Sequence, residues 1–124
     1  MSPILFHKIL VLCAGNICRS PLAEALLRLR LAQAGKGVAV ASAGLIADYG
    51  VPADELARRL GASHGLDLTD HTSRPVEPDL VRWSDLILVM EQGQRRHLLE
   101  LAPTAAGKVY RLGHWSGTEI ADPY

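Results

Sequence analysis

The chain has 124 residues, 48% of them hydrophobic and 21% charged, a composition that fits one globular domain and excludes a disordered tail, a fibre or a bundle of membrane spans. Thirteen Lys and Arg balance thirteen Asp and Glu, so no global charge points to a nucleic-acid partner or a polybasic membrane surface, and any anion site has to be built locally. The two cysteines, Cys13 and Cys18, supply neither a disulfide framework nor zinc-ligand spacing, which leaves packing or thiol chemistry.

From Met1 to Leu12 the apolar run is short and interrupted, unlike a signal peptide or a membrane helix, so a cytoplasmic protein without membrane insertion is expected. Ile9 to Leu12 reads as a strand buried on both faces. Ser20-Pro21 then opens a helix with Leu22, Leu26 and Leu29 as its apolar stripe, ending near Gly35. Val38 to Ala43 is a second predicted strand, and Ala53 to His64 a second helix whose apolar stripe includes Ala53, Leu56, Ala57 and Leu60. A loop from Thr69 to Pro78 follows. Leu86 to Met90 is a third strand, Gln92 to Ala102 a third helix stopped by Pro103, and Lys108 to Leu112 a short fourth strand. Strands and helices alternating in this way predict a single-domain α/β fold over residues 1–124: a four-stranded parallel sheet, order 2-1-3-4, with helices on both faces. Ligands of such sheets bind at the carboxyl ends of the strands.

At that address stands Cys13-Ala14-Gly15-Asn16-Ile17-Cys18-Arg19-Ser20-Pro21, between the first strand and the first helix. Backbone N–H groups and the positive end of a helix dipole collect an anion there. Gly15 and Asn16 tolerate the positive φ that lets the loop curl into a nest, with the amides of Ala14, Gly15, Asn16, Ile17, Cys18 and Arg19 directed at phosphate oxygens. Arg19 adds a planar fork that matches two of those oxygens. The electropositive mouth favours a thiolate at Cys13, and Ser20 is placed to donate a hydrogen bond to it. A cysteine after a buried strand is commonly just a small core hydrophobe. The five residues between Cys13 and Arg19, the Gly15-Asn16 step and the strand-to-helix setting favour chemistry instead. Cys18 reads either as packing or as a second thiol able to form a reversible disulfide with oxidised Cys13. Transfer from an aryl phosphate also needs a proton donor for the phenolate, and Asp122, held extended by Pro123, is the candidate. Asp-Pro alone is usually a turn, so its weight comes from the loop it accompanies.

Together with Ser42-Ala43-Gly44 and Asp122-Pro123-Tyr124, the loop resembles the low-molecular-weight protein tyrosine phosphatase family along essentially the whole chain. Met90-Glu91-Gln92 and Gly113-His114-Trp115 resemble the bacterial members that partner tyrosine kinases of capsule or exopolysaccharide export. The resemblance implies Cys13 as nucleophile, Arg19 as phosphate clamp and Asp122 as general acid and later base, with no metal and no cofactor. It further implies Asn16, Ser42 and His71 as supports of the loop, and Tyr124, Tyr49 and Leu45 as walls of a slot for an aryl ring. The expected partners are a phosphotyrosine protein and a cognate tyrosine kinase, for a monomer or weak dimer that binds no nucleic acid. The family usually continues past Asp-Pro-Tyr with a further helix, so a unit lacking that helix is expected here. Ile17 stands where arginine-phosphatase relatives tend to carry threonine, which favours tyrosine. Two rivals remain: a thiol-dependent arsenate reductase, for which resolving cysteines beyond residue 18 are missing, and a phosphate- or phosphotyrosine-binding module that releases nothing.

Overall fold

In the computed structural model, which describes residues 6–112, β1 (Lys8–Cys13) lies inside a four-stranded sheet of order β2-β1-β3-β4. β2 (Ala39–Gly44) and β3 (Leu86–Val89) flank it in parallel, and β4 (Val109–Arg111) pairs with β3, also in parallel. This is the predicted strand order. Between the strands run α1 (Arg19–Gln33), α2 (Glu55–Ser63), α3 (Pro78–Trp83) and α4 (Gln92–Leu101), and a 3₁₀ turn (Pro103–Lys108) leads into β4.

The period of two along a strand divides the apolar residues of β1 between two layers. Leu10 and Leu12 join Ile87, Val89 and Val109 on one face, where Val81 of α3 and Leu98 of α4 cover them. Ile9, Val11 and Cys13 join Val40, Leu86 and Leu88 on the other, under Ala23, Leu27 and Leu31 of α1. A third, smaller cluster of Cys18, Ala53, Ala57 and Leu68 packs α2 to the side of α1. No helix among the described residues is long and apolar enough to cross a membrane.

Two features go beyond the sequence expectations. α1 is apolar on two arcs, and it is the arc of Ala23, Leu27 and Leu31, not the predicted stripe of Leu22, Leu26 and Leu29, that takes the sheet. Leu26 and Leu29 are exposed, and together with Leu56 and Leu60 of α2 they line an open groove of about 870 Å³ beside the sheet. The predicted apolar stripe of this region is thus divided, with Ala53, just before α2, and Ala57 buried and Leu56 and Leu60 exposed. The second is α3, an element the sequence pattern does not announce. Its six residues are too few for a 3.6-residue period to register, and Pro78 opens it in the first turn, where a missing N–H costs nothing.

Candidate active site

β1 delivers Cys13 to the carboxyl edge of the sheet, and the chain then turns so tightly that α1 begins six residues later. The turn is held from both sides. Leu45 N–H donates to the Cys13 carbonyl at 3.0 Å and Ile46 N–H to the Ala14 carbonyl at 2.9 Å, so the segment after β2 is stitched to the loop. On the far side, Asp54 N–H donates to the Ile17 carbonyl at 2.8 Å. Asn16 takes φ 56°, the left-handed conformation that asparagine tolerates better than most L residues.

That conformation turns the Asn16 side chain inward, where it is fully buried. Its Nδ2 donates to Ser20 Oγ at 2.8 Å and to Ser42 Oγ at 3.0 Å, and its Oδ1 accepts from the Arg74 N–H at 3.0 Å. His71 Nε2 donates to the Asn16 carbonyl at 2.7 Å, which assigns the ring proton to Nε2, because a carbonyl only accepts. Ser42 in turn donates to Glu24 Oε1 of α1, whose other oxygen pairs with Arg28. The loop is therefore backed by a continuous polar network from β2, α1 and the 71–74 segment.

The sulfur sits at the inner end of this network. Cys13 Sγ lies 3.0 Å from Ser20 Oγ and accepts the Asn16 N–H at 3.3 Å. It opens on a cavity of about 250 Å³ whose walls are Cys13, Ala14, Gly15, Ile17, Cys18, Arg19 and Ile46. The Arg19 side chain is 7% exposed, and its Nη1 is 2.7 Å from Glu91 Oε1. Both cysteines are free thiols. Cys18 belongs to the α1–α2 cluster as well as to the cavity wall.

The structure brings Cys13, Arg19, Ser20, Asn16, Ser42 and His71 into one assembly. Of the residues expected to wall the slot, Leu45 packs against the core cluster behind β1 instead. Tyr49 is exposed and donates its hydroxyl to Glu77, a bond that raises its phenol above the usual range. From that segment it is Ile46, 74% exposed, that lines the cavity. Asp122 and Tyr124, with Gly113, His114 and Trp115, lie outside the described residues. Sequence reasoning also missed Glu24 and Glu91 as parts of the site. Glu91 had a legible signal, an acidic side chain just past a strand end where parallel sheets hold their ligands. Glu24 had none, since a helical glutamate is ordinarily a solvated side chain.

A buried cysteine against loop amides and an arginine is a phosphate-handling geometry, and comparison with known proteins decides whose. The sequence model described as low molecular weight phosphotyrosine protein phosphatase matches residues 8–124. The chain belongs to that family. Among curated low molecular weight phosphatases it is 44% identical to the Ptp protein-tyrosine-phosphatase of Acinetobacter johnsonii, over 96% of this chain and 81% of the relative. Among solved structures, the Erwinia amylovora tyrosine phosphatase AmsI superimposes with a TM-score of 0.90 at 42% identity, covering 100% of this chain and 80% of that one. Vibrio vulnificus Wzb, solved in complex with benzylphosphonate, gives 0.89 at 41% identity, covering 96% and 82%. The fold of this chain is that of the low molecular weight phosphatases.

Proposed function

We propose that the chain is a single phosphatase domain that hydrolyses phosphotyrosine through a Cys13 thiophosphate. The observation that carries this reading is the sulfur itself, 3.0 Å from the Ser20 hydroxyl and 3.3 Å from the Asn16 amide, facing a cavity that Arg19 shares. Cys13 Sγ attacks phosphorus, the P–O bond to the aryl ring breaks, and Asp122 delivers its proton to the departing phenolate oxygen. Water then attacks the thiophosphate with Asp122 as base, the S–P bond breaks, and the sulfur leaves with the Ser20 hydroxyl as hydrogen-bond donor. Arg19 and the amides of residues 14–19 carry the charge on the equatorial oxygens throughout. The role of Asp122 rests on its match to the family's Asp-Pro-Tyr segment.

Support for an aryl substrate comes from Ile46, an exposed apolar side chain on the cavity wall that an aromatic ring can lie against. Ile17, also on the cavity wall and standing where arginine-phosphatase relatives tend to carry threonine, favours tyrosine over arginine. The likeness of Met90-Glu91-Gln92 to the capsule-associated members supports a phosphotyrosine protein of a polysaccharide export system as substrate, with a cognate tyrosine kinase as partner.

The test is Cys13→Ser, which removes the thiolate and keeps the nest. Hydrolysis of an aryl phosphate should fall to background while inorganic phosphate still binds. Undiminished turnover in this variant would refute the mechanism, and phosphate binding by the wild type with no turnover of any aryl phosphate would make the chain a binding module.

A further inference from the structure

Arg19 is nearly buried and Glu91 is not, with side-chain exposures of 7% and 39%. A guanidinium so far from water needs a counter-charge that stays with it whether or not phosphate is present. Glu91 is built for that. It is the N-cap of α4 and part of a capping box: its side chain accepts the Gln94 backbone N–H, and the Gln94 side chain accepts the N–H of Glu91. The same Gln94 oxygen accepts the Met90 N–H at 2.9 Å, which ties the cap to the end of β3. The Glu91 carboxylate is therefore fixed by the strand-to-helix junction of a second β-α unit, and it presents Oε1 to Arg19 Nη1 at 2.7 Å.

We infer that Glu91 is the positioning residue for Arg19, setting the plane of the guanidinium so that its fork meets the transferring phosphoryl group. The contact runs from one carboxylate oxygen to one guanidinium nitrogen and so restrains the swing of that planar group about its stem. A residue that merely occupied the phosphate site in the resting enzyme would have to swing away on binding. Glu91 has no such freedom, because releasing Arg19 by moving the carboxylate would also uncap α4.

This inference rests on the reading of Arg19 as the phosphate clamp, and the experiment separates the two. Glu91→Ser keeps a good N-cap and removes the long carboxylate. Its melting temperature should fall, because Arg19 loses its counter-charge, so kinetics are compared well below the transition of both proteins. There kcat for an aryl phosphate falls on the order of ten-fold per folded molecule and inhibition by inorganic phosphate weakens by a similar factor, the scale of one charged hydrogen bond. In an Arg19→Lys background, which has no planar fork to orient, the same change should cost far less. If Glu91→Ser does not fold, Glu91→Gln serves as the variant. Tighter phosphate inhibition in Glu91→Ser would overturn the inference in favour of a competing carboxylate. Unchanged kcat and phosphate inhibition would overturn it too, so long as Arg19→Ala is inactive. An active Arg19→Ala would instead remove the clamp itself.

Discussion

The backbone N–H of Arg74 points at the side-chain oxygen of Asn16, 3.0 Å away, and this contact sets the direction of the hydrogen bonds behind the loop. A backbone N–H can only donate, so the Asn16 atom facing it is Oδ1, and the amide nitrogen faces the two serines. Ser20 and Ser42 both accept from that nitrogen, which leaves each hydroxyl proton to go elsewhere. Ser42 sends its proton to Glu24, and Ser20 sends its proton to Cys13 Sγ.

Ser20→Ala therefore deletes the one side-chain donor to the sulfur that the described residues provide. A hydrogen bond to a charged group is worth about 1.5–3 kcal/mol, so kcat for an aryl phosphate should fall by roughly ten- to a hundred-fold. The thiolate is also the leaving group of the second step, so that step should slow most, and stopped-flow release of the phenol should acquire a burst. A wild-type rate, or a slowed rate with no burst, would count against a hydroxyl directed at the sulfur.

Gly44 is where β2 touches the loop. A Cβ there would stand 2.5 Å from the Ala47 Cβ, 2.6 Å from the Ala14 carbonyl oxygen and 3.0 Å from the Asn16 N–H nitrogen. Two of those neighbours are loop backbone held by hydrogen bonds of their own, so the loop has to move. Gly44→Ala should cost about 1–3 kcal/mol in denaturant unfolding, the usual range for overpacking, and should lower aryl phosphatase activity more than its lost stability explains. Equal activity per folded molecule would mean that the loop tolerates the shift.

Much of this architecture was readable in advance, for a physical reason. Strands buried on both faces are continuous apolar runs, and Ile9 to Leu12, between Lys8 and the Cys13–Gly15 turn, and Leu86 to Met90, between Asp85 and Glu91, stand out for that reason. The loop from Cys13 to Arg19 is contiguous, so its chemistry lies within one line of sequence. What aligns that loop is not contiguous. Glu91 is 72 positions from Arg19, and the Arg74 contact to Asn16 is made by a main-chain N–H that carries no residue signature. The Leu26 and Leu29 stripe failed for a related reason, since a helix apolar on two arcs does not declare which arc meets the sheet.

Ile46 separates recognition from chemistry. It is 74% exposed, so Ile46→Ala should leave the melting temperature almost unchanged. Its loss from the cavity wall removes apolar surface against which an aryl ring packs. KM for phosphotyrosine peptides should rise several-fold with kcat nearly constant, as uniform binding energy is lost. Inhibition by inorganic phosphate, which has no ring, should not change. A matching loss of phosphate inhibition would move Ile46 from the substrate's ring to the loop itself.

Far from the site, Asp85 anchors the start of β1 by accepting the N–H groups of His7 and Lys8 at 2.8 and 3.0 Å. These bonds, the one from His7 first, hold its carboxyl below the ordinary value of 3.8. A carboxyl depressed in the folded state binds its proton less readily there than in the unfolded chain. Its stabilising contribution is thus complete above the unfolded value, near pH 4, and fades as pH falls through the folded one. Asp85→Asn should melt below wild type at pH 6, and the gap should close as the melts are repeated toward pH 2.5. A gap that stays constant across that range would assign the effect to packing at the strand end rather than to the charge.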